Sequence, residues 1–335
     1  MKTWELQPKP EFESLTLVDR PSAEVGPLDV KVRVRAVSLN YRDLGQARNA
    51  VKRKAPIVPV SDGAGEVLAV GAAVKRVKPG DQVCASFFPH WLDGELSDAH
   101  HAAALGGGGD GMLREEVVLP EHSWVKVPEG WSFEEAATLP CAGVTAWQAL
   151  FERGGLRAGE TVLLQGSGGV SVFALQLAKA AGARVIITSS QEHKRARLRE
   201  LGADEVLDYV KEPKWGERAK ALTQGRGVDL VVDVGGPGTF DQSTAALRYG
   251  GSMSILGVLT GTRGEVNTYA IFHRRLRVNG IYVGSVTMFE ALVRALNETK
   301  LRPVIDRVFG FSEAKPAYEY LASGKHLGKV VMRVD

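Results

Sequence analysis

The sequence predicts an α/β fold: a doubly wound parallel sheet in the second half of the chain, preceded by a smaller antiparallel β domain. Three observations carry that expectation. Short apolar runs recur near 162–164, 185–187, 205–207, 230–232, 252–255 and 277–282, with helical patterns between most of them. That alternation is the pattern of a parallel sheet covered on both faces. Earlier in the chain, short strands separated by Gly and Pro turns read as a small barrel or sandwich. Finally, the run Thr161-Val-Leu-Leu-Gln-Gly166-Ser-Gly168-Gly169-Val170-Ser171 joins a buried strand to a helix through a glycine turn.

The elements follow in order. Residues 29–37 alternate strictly, with Val30, Val32, Val34 and Ala36 on one face and Lys31, Arg33 and Arg35 on the other. This is the period of a half-buried antiparallel strand. A second strand spans 63–70; Lys78-Pro-Gly-Asp81 forms a turn, and the strand pattern resumes at 82–85. From 88 to 113 the pattern gives way to a long loop with one short helix, holding His90, Trp91, His100, His101 and the glycines 106–109. Helical patterns cover 134–140 and 145–151. The last segment carries an amphipathic helix from 288, strand-like 304–309 and a final strand at 329–334. The expected division is 1–125, 126–285 and a return of 286–335 to the first domain.

Composition excludes several classes. A net charge of +3 over 335 residues gives no concentrated basic face for nucleic acid. Two cysteines, Cys84 and Cys141, form no disulfide framework and fit a reducing cytoplasm. The first ten residues lack the apolar core of a secretory signal, and no apolar run is long enough to span a bilayer. The expected partner is a small-molecule substrate.

The glycine turn is the strongest chemical signal. Gly166 permits the tight turn, and Gly168 removes the side chain that would block a diphosphate. The amides of Ser167, Gly168, Gly169 and Val170 then meet negative oxygens at a helix start. Ser171 takes the third glycine's place, where a small residue allows close helix–strand packing. An Asp or Glu at the end of the second strand would accept from the ribose hydroxyls of NAD. Here that strand ends Thr188-Ser189-Ser190, with Lys194 and Arg195 one helical turn on, which argues for NADPH. Glu192 is a competing carboxylate, and a solvated helix face would carry the same charges.

Across nearly its whole length the chain resembles the medium-chain dehydrogenase/reductase superfamily, in the zinc-free branch near quinone oxidoreductases and zinc-type alcohol dehydrogenase-like proteins. The resemblance rests on Ser38-Leu-Asn-Tyr-Arg-Asp43, Ser61-Asp-Gly-Ala-Gly-Glu66, 71–83, Ala136-Ala-Thr-Leu-Pro140, the 166–169 turn, Leu201-Gly-Ala-Asp204, 227–235 and Gly250-Gly251. It implies a Rossmann domain, a GroES-like β-barrel domain completed by the C-terminus, and a cofactor in the cleft between them. It also implies a homodimer, for which residues 277–282 offer a strand edge. Thr145 matches a residue near the nicotinamide, and Tyr209 one near the adenosine phosphate. Gly235, Gly257 and Lys329 match positions along the cofactor cleft.

The departures from that family bear on mechanism. Where zinc-dependent relatives place a Cys, a His, and a Cys or Asp, this chain has Asn40, Ser61 and Cys141. The four cysteines of their structural zinc are absent. One thiolate does not make the three-ligand open site of a catalytic zinc, so no metal is expected. The relay hydroxyl of those enzymes is Arg42 here. Without metal, hydrogen bonds must stabilise the developing negative charge. Tyr41 is the expected proton donor and Asn40 the group that orients substrate; the alternative for Tyr41 is a cleft-wall aromatic. Phe88, Trp91 and Leu92 are expected pocket walls. The resulting expectation is an NADPH-dependent reductase of a quinone, enone or simple carbonyl. A zinc enzyme with an atypical site and a non-enzymatic NADPH-binding protein are the competing readings.

Overall fold

The computed structural model describes residues 1–334 and forms two compact units. One comprises Met1–Val144 together with the residues from Val283 onward; the other is Thr145–Tyr282. The sequence reading divides at 125 and 286. The first unit runs on to Val144 because the stretch after 125 remains with the barrel. There the strand Trp124–Lys126 pairs with Gln82–Ala85, and Cys84 Sγ donates to the Ala136 carbonyl at 3.4 Å.

The first unit begins with a hairpin, β1 (Lys2–Leu6) and β2 (Leu15–Asp19). It continues with β3 (Asp29–Leu39), β4 (Asp62–Val70), β5 (Gln82–Ala85), β6 (Glu116–Pro120) and β7 (Trp124–Lys126). The alternation in β3 has the expected effect: Val30, Val32, Val34 and Ala36 are at most 1 % exposed. It stops at Val37, after which Val37, Ser38 and Leu39 are all buried. Gly65 in β4 is required by close approach, since a Cβ there would stand 2.0 Å from the Arg33 carbonyl oxygen. The expected loop holds one short helix, Asp98–Ala102, capped by Ser97 Oγ accepting from the His100 amide.

The second unit contains β8 (Thr161–Gln165), β9 (Arg184–Thr188), β10 (Glu205–Leu207), β11 (Val228–Asp233), β12 (Leu247–Ile255) and β13 (Arg277–Gly280). All pairings are parallel, in the order β10-β9-β8-β11-β12-β13. This is the doubly wound order, which leaves a crevice at the carboxyl ends of β8 and β11 where the strand order reverses. The strands read as continuous apolar runs because both faces are covered. Leu163, Ile186, Val231 and Met253 pack with Trp215 and Phe240 from the helices. The edge strand β13 is shorter than the expected 277–282, and its Val278 is exposed.

From Val283 the chain belongs to the first unit again. The helix Val286–Thr299 buries Val286, Phe289, Leu292 and Leu296, one stripe of an amphipathic helix. Two strands close the fold, β14 (Ile305–Gly310) and β15 (Lys329–Arg333). β15 pairs antiparallel with β3, Val330 opposite Leu39 and Met332 opposite Val37. There β3 lies between β15 and β4, and the helix Phe133–Ala136 packs against these strands, so the alternation is lost. Among the described residues, no helix is long and apolar enough to cross a membrane.

Candidate functional site

In the second unit the turn after β8 has the geometry that a phosphate loop needs. Gly166 has φ +74°, a conformation that favours glycine. Gly168 caps the helix Gly169–Ala180 with ordinary extended backbone, φ −77° and ψ −179°. A Cβ at Gly168 would meet nothing within 4 Å. Neither backbone strain nor internal packing demands glycine there, so its absent side chain leaves room for something outside the fold. Ser171 Oγ donates to the Gln165 carbonyl at 2.6 Å, tying the helix to the strand it follows.

Around the end of β9 the residues are more committed than the sequence suggests. Lys194 and Arg195 are buried, whereas Arg197 and Arg199 are exposed, so only part of this helix is a solvated face. Arg195 donates to the Ser189 carbonyl at 3.1 Å and ion-pairs with Asp208 at 2.8 Å. It also binds Glu192, whose carboxyl is drawn down by that bond. The competing carboxylate is therefore engaged with a neighbour on its own helix. Ser190 Oγ accepts from the Tyr209 phenol at 3.2 Å, which groups these two predicted residues. Gly235 and Gly257 have internal reasons to be glycine. A Cβ would stand 2.4 Å from the Thr239 side chain at Gly235, and 2.2 Å from the Val234 carbonyl oxygen at Gly257. Thr145 is buried.

The first unit carries a buried polar cluster at the end of β3. Lys329 Nζ donates to Asn40 Oδ1 at 2.5 Å and to the Leu39 carbonyl at 2.8 Å. Asp62 Oδ1 accepts from Ser61 Oγ at 2.6 Å, and its Oδ2 from the Cys141 amide at 3.0 Å. Burial pushes the Asp62 carboxyl up; the Lys329 charge and bonds from Ser61, Asn40 and Cys141 oppose this. The Asn40 amide is thus a bridge between an ammonium and a carboxylate. Its oxygen and its Nδ2, which also donates to the Ser38 carbonyl at 3.4 Å, face internal partners. Both ends of the side-chain amide of Asn40, the residue expected to orient substrate, are thus engaged by partners within the fold.

Asp43 closes the first turn of the helix Tyr41–Arg48, its Oδ2 accepting from the Asn40 amide at 2.7 Å. Burial pushes its carboxyl up to about 6, against the Arg42 guanidinium. Arg42 donates to the Leu105 carbonyl at 2.9 Å and lies over the Phe87 ring. Tyr41 is 54 % exposed. Two predicted pocket walls are interior instead: Phe88 is 0 % and Trp91 2 % exposed, their rings packed edge to face. Of the three, only Leu92 presents its side chain to solvent. The loop histidines do not gather at one point. His90 Nδ1 faces His122 Nε2 at 3.3 Å, while His100 lies against Trp91.

Sequence reasoning missed Gln165 and Asp233, whose side chains join the ends of β8 and β11 at 3.0 Å. Their adjacency to Gly166 and Gly235 was the available signal. It also missed the pairing of Lys329 with Asn40, which no local pattern reveals.

A doubly wound sheet with an open glycine turn in one unit, and an antiparallel β domain in the other, are the parts expected of a two-domain oxidoreductase that uses a nicotinamide dinucleotide. Comparison with known proteins agrees. Residues 26–129 match the alcohol dehydrogenase GroES-like domain, and residues 169–298 the zinc-binding dehydrogenase family. A zinc-type alcohol dehydrogenase-like protein of Schizosaccharomyces pombe is 42 % identical, over 93 % of this chain and 92 % of its own. A quinone oxidoreductase of Pseudomonas aeruginosa is 32 % identical over 96 % and 95 %. The solved structure of an NAD-dependent alcohol dehydrogenase superposes with a TM-score of 0.90 at 34 % identity, covering 100 % of both chains. The chain belongs to the medium-chain dehydrogenase/reductase superfamily.

The zinc in that family description can be tested against these residues. A catalytic zinc needs three protein donors and an open fourth position. Asn40 and Ser61 offer only neutral oxygens, and the Asn40 oxygen already receives the Lys329 ammonium. A second cation beside it would be repelled, so this donor set does not suit zinc.

Proposed function

We propose that the protein is a metal-free, NADPH-dependent reductase of quinones, enones or simple carbonyls, acting as a cytoplasmic homodimer joined along β13. The observation that carries the metal-free reading is the Lys329 ammonium seated on Asn40, opposite Asp62. That side chain lies against Asn40, one of the positions that by resemblance hold metal ligands in zinc-dependent relatives, which supports the reading. When bound, the nicotinamide cofactor supplies the hydride. The amides from Ser167 to Val170 bind its diphosphate at the open Gly168 position. Ser190 and Tyr209, with no carboxylate at the end of β9, receive the 2′-phosphate. Tyr41 gives the proton to the reduced substrate.

One observation favours NADH instead: Arg195 is committed to Asp208, which removes one cation from phosphate recognition. A single set of assays separates the readings. Purified protein is offered quinones, enones and aldehydes with NADPH and NADH in parallel, and its metal content and mass in solution are measured. Faster oxidation of NADPH, no stoichiometric zinc and a dimer are expected. Stoichiometric zinc overturns the metal-free reading, and faster NADH oxidation overturns the cofactor preference. Tight cofactor binding without turnover on the whole panel overturns the enzymatic one.

A further inference from the structure

We propose that Asp233, acting through Gln165, is a positioning residue that locks the turn Gly235–Gly236 to the phosphate loop and so sets the binding of the nicotinamide half of the cofactor. The proposal rests on the reading of 166–169 as that loop.

Asp233 ends β11 and is 1 % exposed; Gln165 ends the neighbouring β8 and is 5 % exposed. The parallel register pairs Leu164 with Val232, so the next residues of both strands stand side by side. Asp233 Oδ1 accepts from the amides of Gly235 at 2.9 Å and Gly236 at 2.8 Å. Its Oδ2 accepts from Gln165 Nε2 at 3.0 Å and Ser243 Oγ at 2.5 Å, and Thr239 Oγ1 reaches it at 2.9 Å. All five of these donors are neutral. Gln165 Oε1 accepts from the Val234 amide at 3.2 Å, and the Gln165 carbonyl from Ser171 Oγ. Gly166 follows directly. One buried amide–carboxylate pair thus fixes both the start of the phosphate loop and the turn after β11.

The two turns serve different parts of one ligand. A dinucleotide lies across the crevice where the strand order reverses, its diphosphate at the first strand–helix turn. The adenosine half then lies toward β9 and β10, and the nicotinamide half toward β11 and β12. Gly236, with φ +86°, and Gly235, pressed against Thr239, give the second turn a single shape. The Asp233 carboxylate holds that shape to the loop, and a fully satisfied buried network of this kind specifies one arrangement.

The test is Asp233→Asn alone and with Gln165→Glu. The single variant keeps an oxygen for the two glycine amides but turns an NH2 group toward Gln165 Nε2, leaving two donors face to face. Its dissociation constant for NADPH is expected to rise about tenfold or more, as a buried polar group loses its partner. That for 2′,5′-ADP, the adenosine half, is expected to stay within about twofold; NADH and 5′-AMP serve as the parallel pair. In the double variant the amide and the carboxylate exchange places, which restores the bond and the NADPH affinity. If Asp233→Asn does not fold, Thr239→Val removes one donor and is expected to shift the same pair of constants in the same sense. Equal weakening of both ligands, or no rescue, overturns the proposal. Wild-type protein that binds neither dinucleotide overturns the underlying reading instead.

Discussion

Asp43→Asn is expected to change how stability depends on pH, by an amount the structure sets. The Asp43 carboxyl is fully buried, and its Oδ1 has no hydrogen-bond partner. Burial raises it from an ordinary 3.8 to about 6, against the pull of Arg42, 3.7 Å away. Below 3.8 the folded and unfolded chains both hold this proton. Between 3.8 and about 6 only the folded chain holds it, so stability falls by about 1.4 kcal/mol per pH unit. Above the folded value the loss is complete, about 3 kcal/mol in all. Asn cannot titrate, yet it keeps an oxygen for the Asn40 amide. The stability of Asp43→Asn minus that of wild type should therefore rise by about 3 kcal/mol between pH 3.5 and 7. Urea unfolding at half-unit pH steps measures it, and subtraction removes every other titrating group. A difference that stays flat within about 0.5 kcal/mol refutes the reasoning, because the carboxyl would then ionise alike in both states.

Three further outcomes are expected. Gly168→Ala puts a methyl group into open space on ordinary backbone, so stability should change by less than about 0.5 kcal/mol while cofactor affinity falls at least about tenfold; a thermal melt and a cofactor titration on one sample check both. Tyr41→Phe should lower turnover by about 10²–10⁴ with cofactor affinity unchanged if the phenol donates the proton, and unchanged turnover removes Tyr41 from the mechanism. Lys329→Met leaves the Leu39 carbonyl and the Asn40 oxygen without their charged donor, a loss of about 3 kcal/mol or more by denaturant midpoint, whereas a shift below about 0.5 kcal/mol would mean that the cluster does not depend on its cation.

The fold was largely legible because its signals are local. A period of two over 29–37 puts Val30, Val32 and Val34 on one face whatever lies beneath them, and the glycine turn identifies itself by the strand before it and the helix after. Legibility faded where a residue's neighbours come from elsewhere in the chain. The aromatic residues of the 88–113 loop are read equally well as pocket walls or as that loop's own core. Their burial decided for Phe88 and Trp91, and only Leu92 remains open. Arg195 likewise looks like any exposed basic residue until Asp208 is brought beside it.

By itself, the sequence determined the alternation of strands and helices, the glycine turn after β8 and the lack of the usual zinc ligands. Each is written in residue type and short spacing. Tertiary structure alone decided which distant residues meet. Lys329 and Asn40 are 289 residues apart and meet because β15 pairs with β3. Gln165 and Asp233, 68 residues apart, meet because β8 and β11 are neighbours in the sheet. Strand order is set by the burial of whole faces, which sums over the chain, so no short window of sequence contains it.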